Sequence, residues 1–131
     1  MKFFNRKKKT KFTDFIYVER DALPKSFCNN VIEKFEQDDR KRQGQVGGGV
    51  QLDIKRSSDL SISELDDWKS YDQAFFKSLN GGLKKYIRFL PEEYMKHRAL
   101  SELGNDTGYQ IQRTQPNDYY IWHHDQTTTR L

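Results

Sequence analysis

Between Trp68 and Leu90 the residues Trp68, Tyr71, Phe75, Leu79, Leu83, Tyr86, Ile87 and Leu90 fall on one helical stripe. Over that length only a helix gathers those positions on one face, and the face must then be covered by another layer. Ser61 followed by Glu64 reads as a capping box opening this helix, and Pro91 ends it. Gly81 and Gly82 weaken it by about 1 kcal/mol each and mark a candidate bend or break. The stripe reads as core laid on a sheet rather than as a cofactor box.

A second helix opens at Pro24, where Phe27, Cys28, Val31, Ile32 and Phe35 recur at helical spacing. Phe15 to Val18 is a short β-prone run. Val50, Leu52 and Ile54 alternate with Gln51, Asp53 and Lys55, the period of a half-buried strand. Gly44 to Gly49 reads as a mobile surface loop: no Gly-Lys-Ser/Thr follows it, and no strand and helix flank it as a dinucleotide fingerprint requires. Glu92 to Leu103 is a further helical pattern closed by Gly104. Tyr109 to Thr114 and Tyr119 to Gln126 read as strands separated by a turn at Gln115–Asp118. The fold class is therefore α+β.

Charge is unevenly spread. The 131-residue chain carries +4 overall, yet its first 11 residues hold six basic groups and no acidic one. The remainder has 17 basic against 19 acidic residues, a net of −2. Residues 1–14 thus form a basic arm ahead of a body spanning 15–131. A basic arm of this kind can contact nucleic acid, which makes a nucleic-acid-binding module the alternative reading, though the acidic body disfavours it. Eighteen Phe, Tyr and Trp residues favour a folded, ring-rich core over disorder. No apolar run approaches the roughly 20 residues of a membrane-spanning helix, so no membrane contact is expected. Cys28 stands alone and reads as a packing residue. With neither disulfides nor a targeting segment, the sequence points to the cytoplasm.

The chemistry concentrates at His123-His124-Asp125. On a strand, positions two apart share a face, so His123 and Asp125 can converge on one ion while His124 points away. One imidazole and one carboxylate make two-thirds of the facial triad that suits non-haem Fe(II). Zinc is the competing ion, and it too needs a third protein ligand. The one histidine left over, His97, falls on the pattern at Glu92–Leu103.

The run Ile111-Gln112-Arg113-Thr114-Gln115-Pro116-Asn117-Asp118-Tyr119-Tyr120-Ile121-Trp122-His123-His124-Asp125 resembles the first metal-binding hairpin of the Fe(II)/2-oxoglutarate-dependent dioxygenases. The nearest subgroup is the prolyl 4-hydroxylase-like one, and the likeness spans roughly residues 15 to 126 in element order. The resemblance implies a double-stranded β-helix (jelly roll) with supporting helices on its major sheet. It implies Fe(II) held by His123 and Asp125, and 2-oxoglutarate as cosubstrate, with ascorbate as a candidate reductant. Tyr120 would line the substrate side. Thr114 stands where the family carries a 2-oxoglutarate-contacting tyrosine, so its hydroxyl takes that position with a shorter reach. The implied reaction is hydroxylation of peptidyl proline or a related substrate, coupled to oxidative decarboxylation of 2-oxoglutarate.

The family places a second metal histidine and a 2-oxoglutarate-anchoring Arg or Lys on later strands, and neither has a counterpart before Leu131. A jelly roll pairs about eight strands, and the sequence offers about four. The expectation is an N-terminal portion of a longer enzyme, inactive alone and marginally stable because its edges and one apolar face lack their partners.

Overall fold

The computed structural model describes residues 15–91 and 107–124. The basic arm at 1–14, the pattern at 92–103 with His97, and the residues from Asp125 onward lie outside these. The described chain is α+β: two α-helices and a three-stranded antiparallel sheet. No helix among the described residues is long and apolar enough to cross a membrane.

Helix α1 spans Lys25–Gln37, as the apolar spacing after Pro24 predicts. It buries Val31 and Phe35 and leaves Cys28 half-buried. Its C-terminus is capped by Lys41, whose Nζ donates to the carbonyls of Phe35 (2.8 Å), Glu36 (2.9 Å) and Asp38. A cation there answers both the orphan carbonyls and the negative end of the helix dipole.

Strand β1 (Arg42–Gln43) pairs with β2 (Ser58–Ser61), which pairs on its other side with β3 (Gln110–Arg113). The register places Asp59 between Arg42 of β1 and Gln112 of β3, and Leu60 opposite Ile111. Leu60 and Ile62 therefore face the helices, joining Val31, Phe35 and Trp68 in the core. Arg113, on the same face, reaches Glu36 of α1 and lies over the Phe35 ring.

Helix α2 (Lys69–Phe89) starts later than the Ser61–Glu64 pattern predicts. Ser61 belongs to the end of β2, and a 3-10 turn at Asp66–Trp68 leads into the helix instead. The helix runs unbroken through Gly81 and Gly82, and Leu90 N–H still donates to Tyr86 O at 3.1 Å. Only the first turns of its stripe reach the core. Tyr71 stacks against Trp68 (5.2 Å) and Phe27 (5.5 Å), and Phe75 against Phe27 (5.5 Å) and Tyr109 (5.9 Å). Farther along, Leu79 is 55% exposed.

Two expected strands are absent. Residues 15–18 are not assigned to a strand and run along α2, with Tyr86 Oη donating to Phe15 O (3.1 Å) and Tyr17 against Tyr86 and Phe89. At Val50–Ile54 the chain turns, with Ile54 and Lys55 N–H both donating to Gln51 O at 3.0 and 2.9 Å. Alternation does not give a strand there, and among the described residues none covers Val50 and Leu52, each half-exposed. The true strand, Ser-Asp-Leu-Ser, is poor in β-formers and is fixed by pairing on both edges. The glycine loop closes as a tight turn, Val46 and Gly49 exchanging N–H···O bonds of 2.9 and 2.8 Å.

One polar node ties these parts together. The Asp38 carboxylate, buried just past α1, accepts the Trp68 indole N–H (2.8 Å) and the Arg40 Nε (2.9 Å). Arg40 also spans to Asp67 with bonds of 3.0 and 2.9 Å, and Lys34 meets the same carboxylate at 2.9 Å. The Arg40 guanidinium, with the indole N–H adding to it, outweighs burial and holds the Asp38 carboxyl well below the usual carboxylate range. Arg40, then Lys34, does the same to Asp67.

Two outcomes follow for stability. A carboxyl more acidic folded than unfolded stabilises fully above about pH 4, and that contribution is lost as pH falls further. Asp38→Asn should cost about 1–3 kcal/mol in urea unfolding at pH 7, with the gap from wild type narrowing below about pH 4; a constant gap would refute the coupling. Gly81→Ala should raise stability by about 1 kcal/mol, because an added Cβ meets nothing within 4 Å. A lowered urea midpoint would contradict a continuous α2.

Candidate functional site

The helices cover one face of the sheet, and the other carries the polar residues. In β2 and the stretch before it, Lys55, Ser57 and Asp59 are two apart and share this second face. Lys55 Nζ bonds Asp59 Oδ2 at 2.8 Å, and Ser57 Oγ donates to Asp59 Oδ1 at 2.8 Å. All three are buried, Lys55 at only 6% exposure. A buried pair with its remaining lone pairs satisfied is costly to break from one side, by about 3–5 kcal/mol. Gly44 makes room for it: a Cβ there would lie 2.1 Å from Ser57 Oγ and 2.9 Å from Lys55 Cε.

The C-terminal segment reaches this trio by a route that sequence reading did not foresee. The sequence predicts Tyr109–Thr114 and Tyr119–Gln126 as the two strands of one hairpin. Instead both run antiparallel to the same neighbour, residues 54–61. Tyr120 bridges Lys55, Arg56 N–H donates to Tyr119 O (2.7 Å), and Ile121 N–H donates to Ile54 O (3.0 Å). The Gln115–Asp118 turn does form, closed by Asp118 N–H to Gln115 O at 2.9 Å with Asn117 at φ 73°. It bulges out of one interrupted edge strand rather than reversing the chain. The physical reason is that 54–61 offers unmet backbone groups on both sides of Ser57, and both stretches take them.

This pairing sets Tyr120 beside the trio. The Lys55 ammonium lies 5.3 Å from the centroid of the Tyr120 ring. The His123 imidazole stacks on that ring at 3.7 Å and 20°. His123 Nδ1 is 2.9 Å from Ile121 O. A carbonyl only accepts, so Nδ1 is the donor in this contact, and in a neutral ring the lone pair is then on Nε2. That tautomer, fixed by a backbone carbonyl, is the one metal-ligating histidines commonly adopt.

Of the residues singled out from sequence, Tyr120 and His123 are thus brought together. Thr114 is exposed, one position beyond β3, and His124 is exposed. Asp125 and His97 lie outside the described residues, so the geometry of the His123–Asp125 pair is not described. Among the described residues no three His, Cys, Asp or Glu side chains gather to hold a metal. Trp122, one residue before His123, is fully exposed.

Lys55, Ser57 and Asp59 were not singled out beforehand. Their signal was the i, i+2, i+4 spacing of a cation, a hydroxyl and an anion, masked because the neighbouring apolar alternation drew the strand too early. On the same face a polar groove of about 360 Å³ is lined by Arg42, Gln45, Asp59, Ser61, Glu64 and Gln110. A larger, apolar groove of about 720 Å³ between residues 15–23 and α2 contains none of the site residues. Compared with family models, curated proteins and solved structures, the chain finds no match.

Gly44→Ala should destabilise the protein by about 1–3 kcal/mol through overpacking. Gly47→Ala, at a position open to solvent, should stay within about 0.5 kcal/mol of wild type. Equal urea midpoints for the two variants would show that the trio yields without strain.

Proposed function

We propose that this chain carries the first half of the metal site of an Fe(II)/2-oxoglutarate-dependent oxygenase of the prolyl 4-hydroxylase-like type. On this reading the three-stranded sheet belongs to the major sheet of a jelly roll, with α1 and α2 on its outer face. The observation that carries the reading is the state of His123. Its Nδ1–H is committed to the Ile121 carbonyl, which in a neutral ring places the lone pair on Nε2. The likeness of Ile111–Asp125 to the family's metal-binding segment supplies Asp125 as the companion ligand.

The donor set suits Fe(II): one neutral imidazole and one carboxylate, the N and O donors of a facial triad. When bound, Fe(II) with 2-oxoglutarate supplies oxidative decarboxylation to succinate and CO2, coupled to hydroxylation of a C–H bond. The chain's own residues hold and orient. His123 presents Nε2. Tyr120 fixes the imidazole's face and borders the space where a peptidyl proline or related substrate would lie. Thr114, exposed at the end of β3, offers a hydroxyl for the cosubstrate.

Trp122 makes the reading testable without turnover. It is fully exposed beside His123, whereas the other tryptophan, Trp68, is fully buried. Co(II), an oxygen-stable stand-in for Fe(II), should quench the red-shifted Trp122 emission and spare Trp68. His123→Ala and Asp125→Ala should each abolish that quenching. Undiminished quenching in either variant would overturn the ligand assignment.

A further inference from the structure

From the contacts around Tyr120 we infer that Lys55 and Tyr120 are positioning residues for His123, and that the Lys55–Asp59 pair anchors them. The inference rests on the oxygenase reading for its purpose but on the coordinates alone for its geometry. His123 is exposed, and an exposed imidazole with nothing against it samples several rotamers. Two of its contacts hold it here. Its edge is fixed by the Ile121 carbonyl, and its face lies on the Tyr120 ring at 3.7 Å.

Tyr120 needs a hold of its own, because its ring is itself more than a third exposed. Lys55 supplies it. The ammonium stands 5.3 Å from the ring centroid, within cation–π range, and the backbones of Lys55 and Tyr120 are directly bridged. Lysine is a flexible residue and a poor anchor when solvated. This one is buried: Asp59 accepts its ammonium, Ser57 Oγ donates to the same carboxylate, and the lack of a side chain at Gly44 lets them pack. The chain of contacts runs from a rigid centre to a surface ligand through Asp59, Lys55, Tyr120 and His123.

The arrangement gives Tyr120 a second duty beyond bordering substrate space. It also gives the buried ion pair a reason to exist, since two well-packed apolar residues would serve stability as well. Asp59 balances the Lys55 charge, so the anchor grips the ring without adding net charge beside a cation-binding position.

The test reads the imidazole directly. In the NMR spectrum of the full chain, the His123 ring C–H signals, assigned by their loss in His123→Gln, should lie upfield of an unstacked histidine's. Tyr120→Leu should abolish that shift, and Tyr120→Phe, which keeps the ring, should retain it. Lys55→Met alone leaves Asp59 buried and unpaired, so the folded control is Lys55→Met combined with Asp59→Asn. This double variant should keep the dispersed core signals yet lose most of the upfield shift. Its Co(II) affinity should fall by about tenfold or more, as when the outer partners of a metal-bound histidine are removed. An upfield shift unchanged in the double variant, or absent from wild type, overturns the inference. If the shift behaves as expected but wild type binds no Co(II), the positioning stands and the oxygenase reading fails.

Discussion

The buried carboxylate of Asp38 is the constraint on which the described fold depends. It sits where α1 ends, accepts the indole N–H of the fully buried Trp68, and is clamped by Arg40, which also holds Asp67. One anion thus fixes the exit of the first helix to the entrance of the second. A large ring with a polar edge can be placed at the centre of a core only if that edge finds an acceptor. Asp38 provides it, and the rings of Phe27, Tyr71, Phe75 and Tyr109 then order around Trp68 and its neighbours. Val31, Leu60, Ile62, Leu65 and Ile111 pack among these rings.

A second polar centre lies on the far side of the sheet and has a different character. Asp38 and Arg40 join elements distant in sequence, whereas Lys55, Ser57 and Asp59 are neighbours along one extended stretch. The first centre locks the helices. The second shapes a surface that no described helix covers, and Tyr120 and His123 rest beside it. The sheet thus has an apolar face under the helices and a polar face that carries a buried charge pair.

Much of this was legible from residue spacing. The periodicity after Pro24 located α1, and the stripe from Trp68 located α2. The Gln115–Asp118 turn and β3 were read from Pro-Asn-Asp and from Tyr-Gln-Ile-Gln-Arg. What was not legible depended on tertiary pairing. Ser58–Ser61 lacks β-branched or aromatic residues apart from its neighbours, and it is a strand only because β1 and β3 flank it. Val50, Leu52 and Ile54 have the right alternation, yet the chain turns there and Val50 and Leu52 stay half-exposed, so the pattern misled. The double glycine suggested a break, yet the helix runs unbroken across it. At the candidate site, His123 and Tyr120 could be named from sequence, while their stacking and its support by Lys55 followed only from the register of Tyr120 opposite Lys55.

The interrupted edge strand has a consequence for how such a protein can change. Arg113 is fixed opposite Ser58 and Tyr120 opposite Lys55, and the residues between them bulge outward around Pro116 and Asn117. The two anchorages are separate, so the bulge can gain or lose residues without shifting either one. Loop length beside the site is thereby free to drift over generations of sequence change, while the placement of Tyr120 and His123 stays constant.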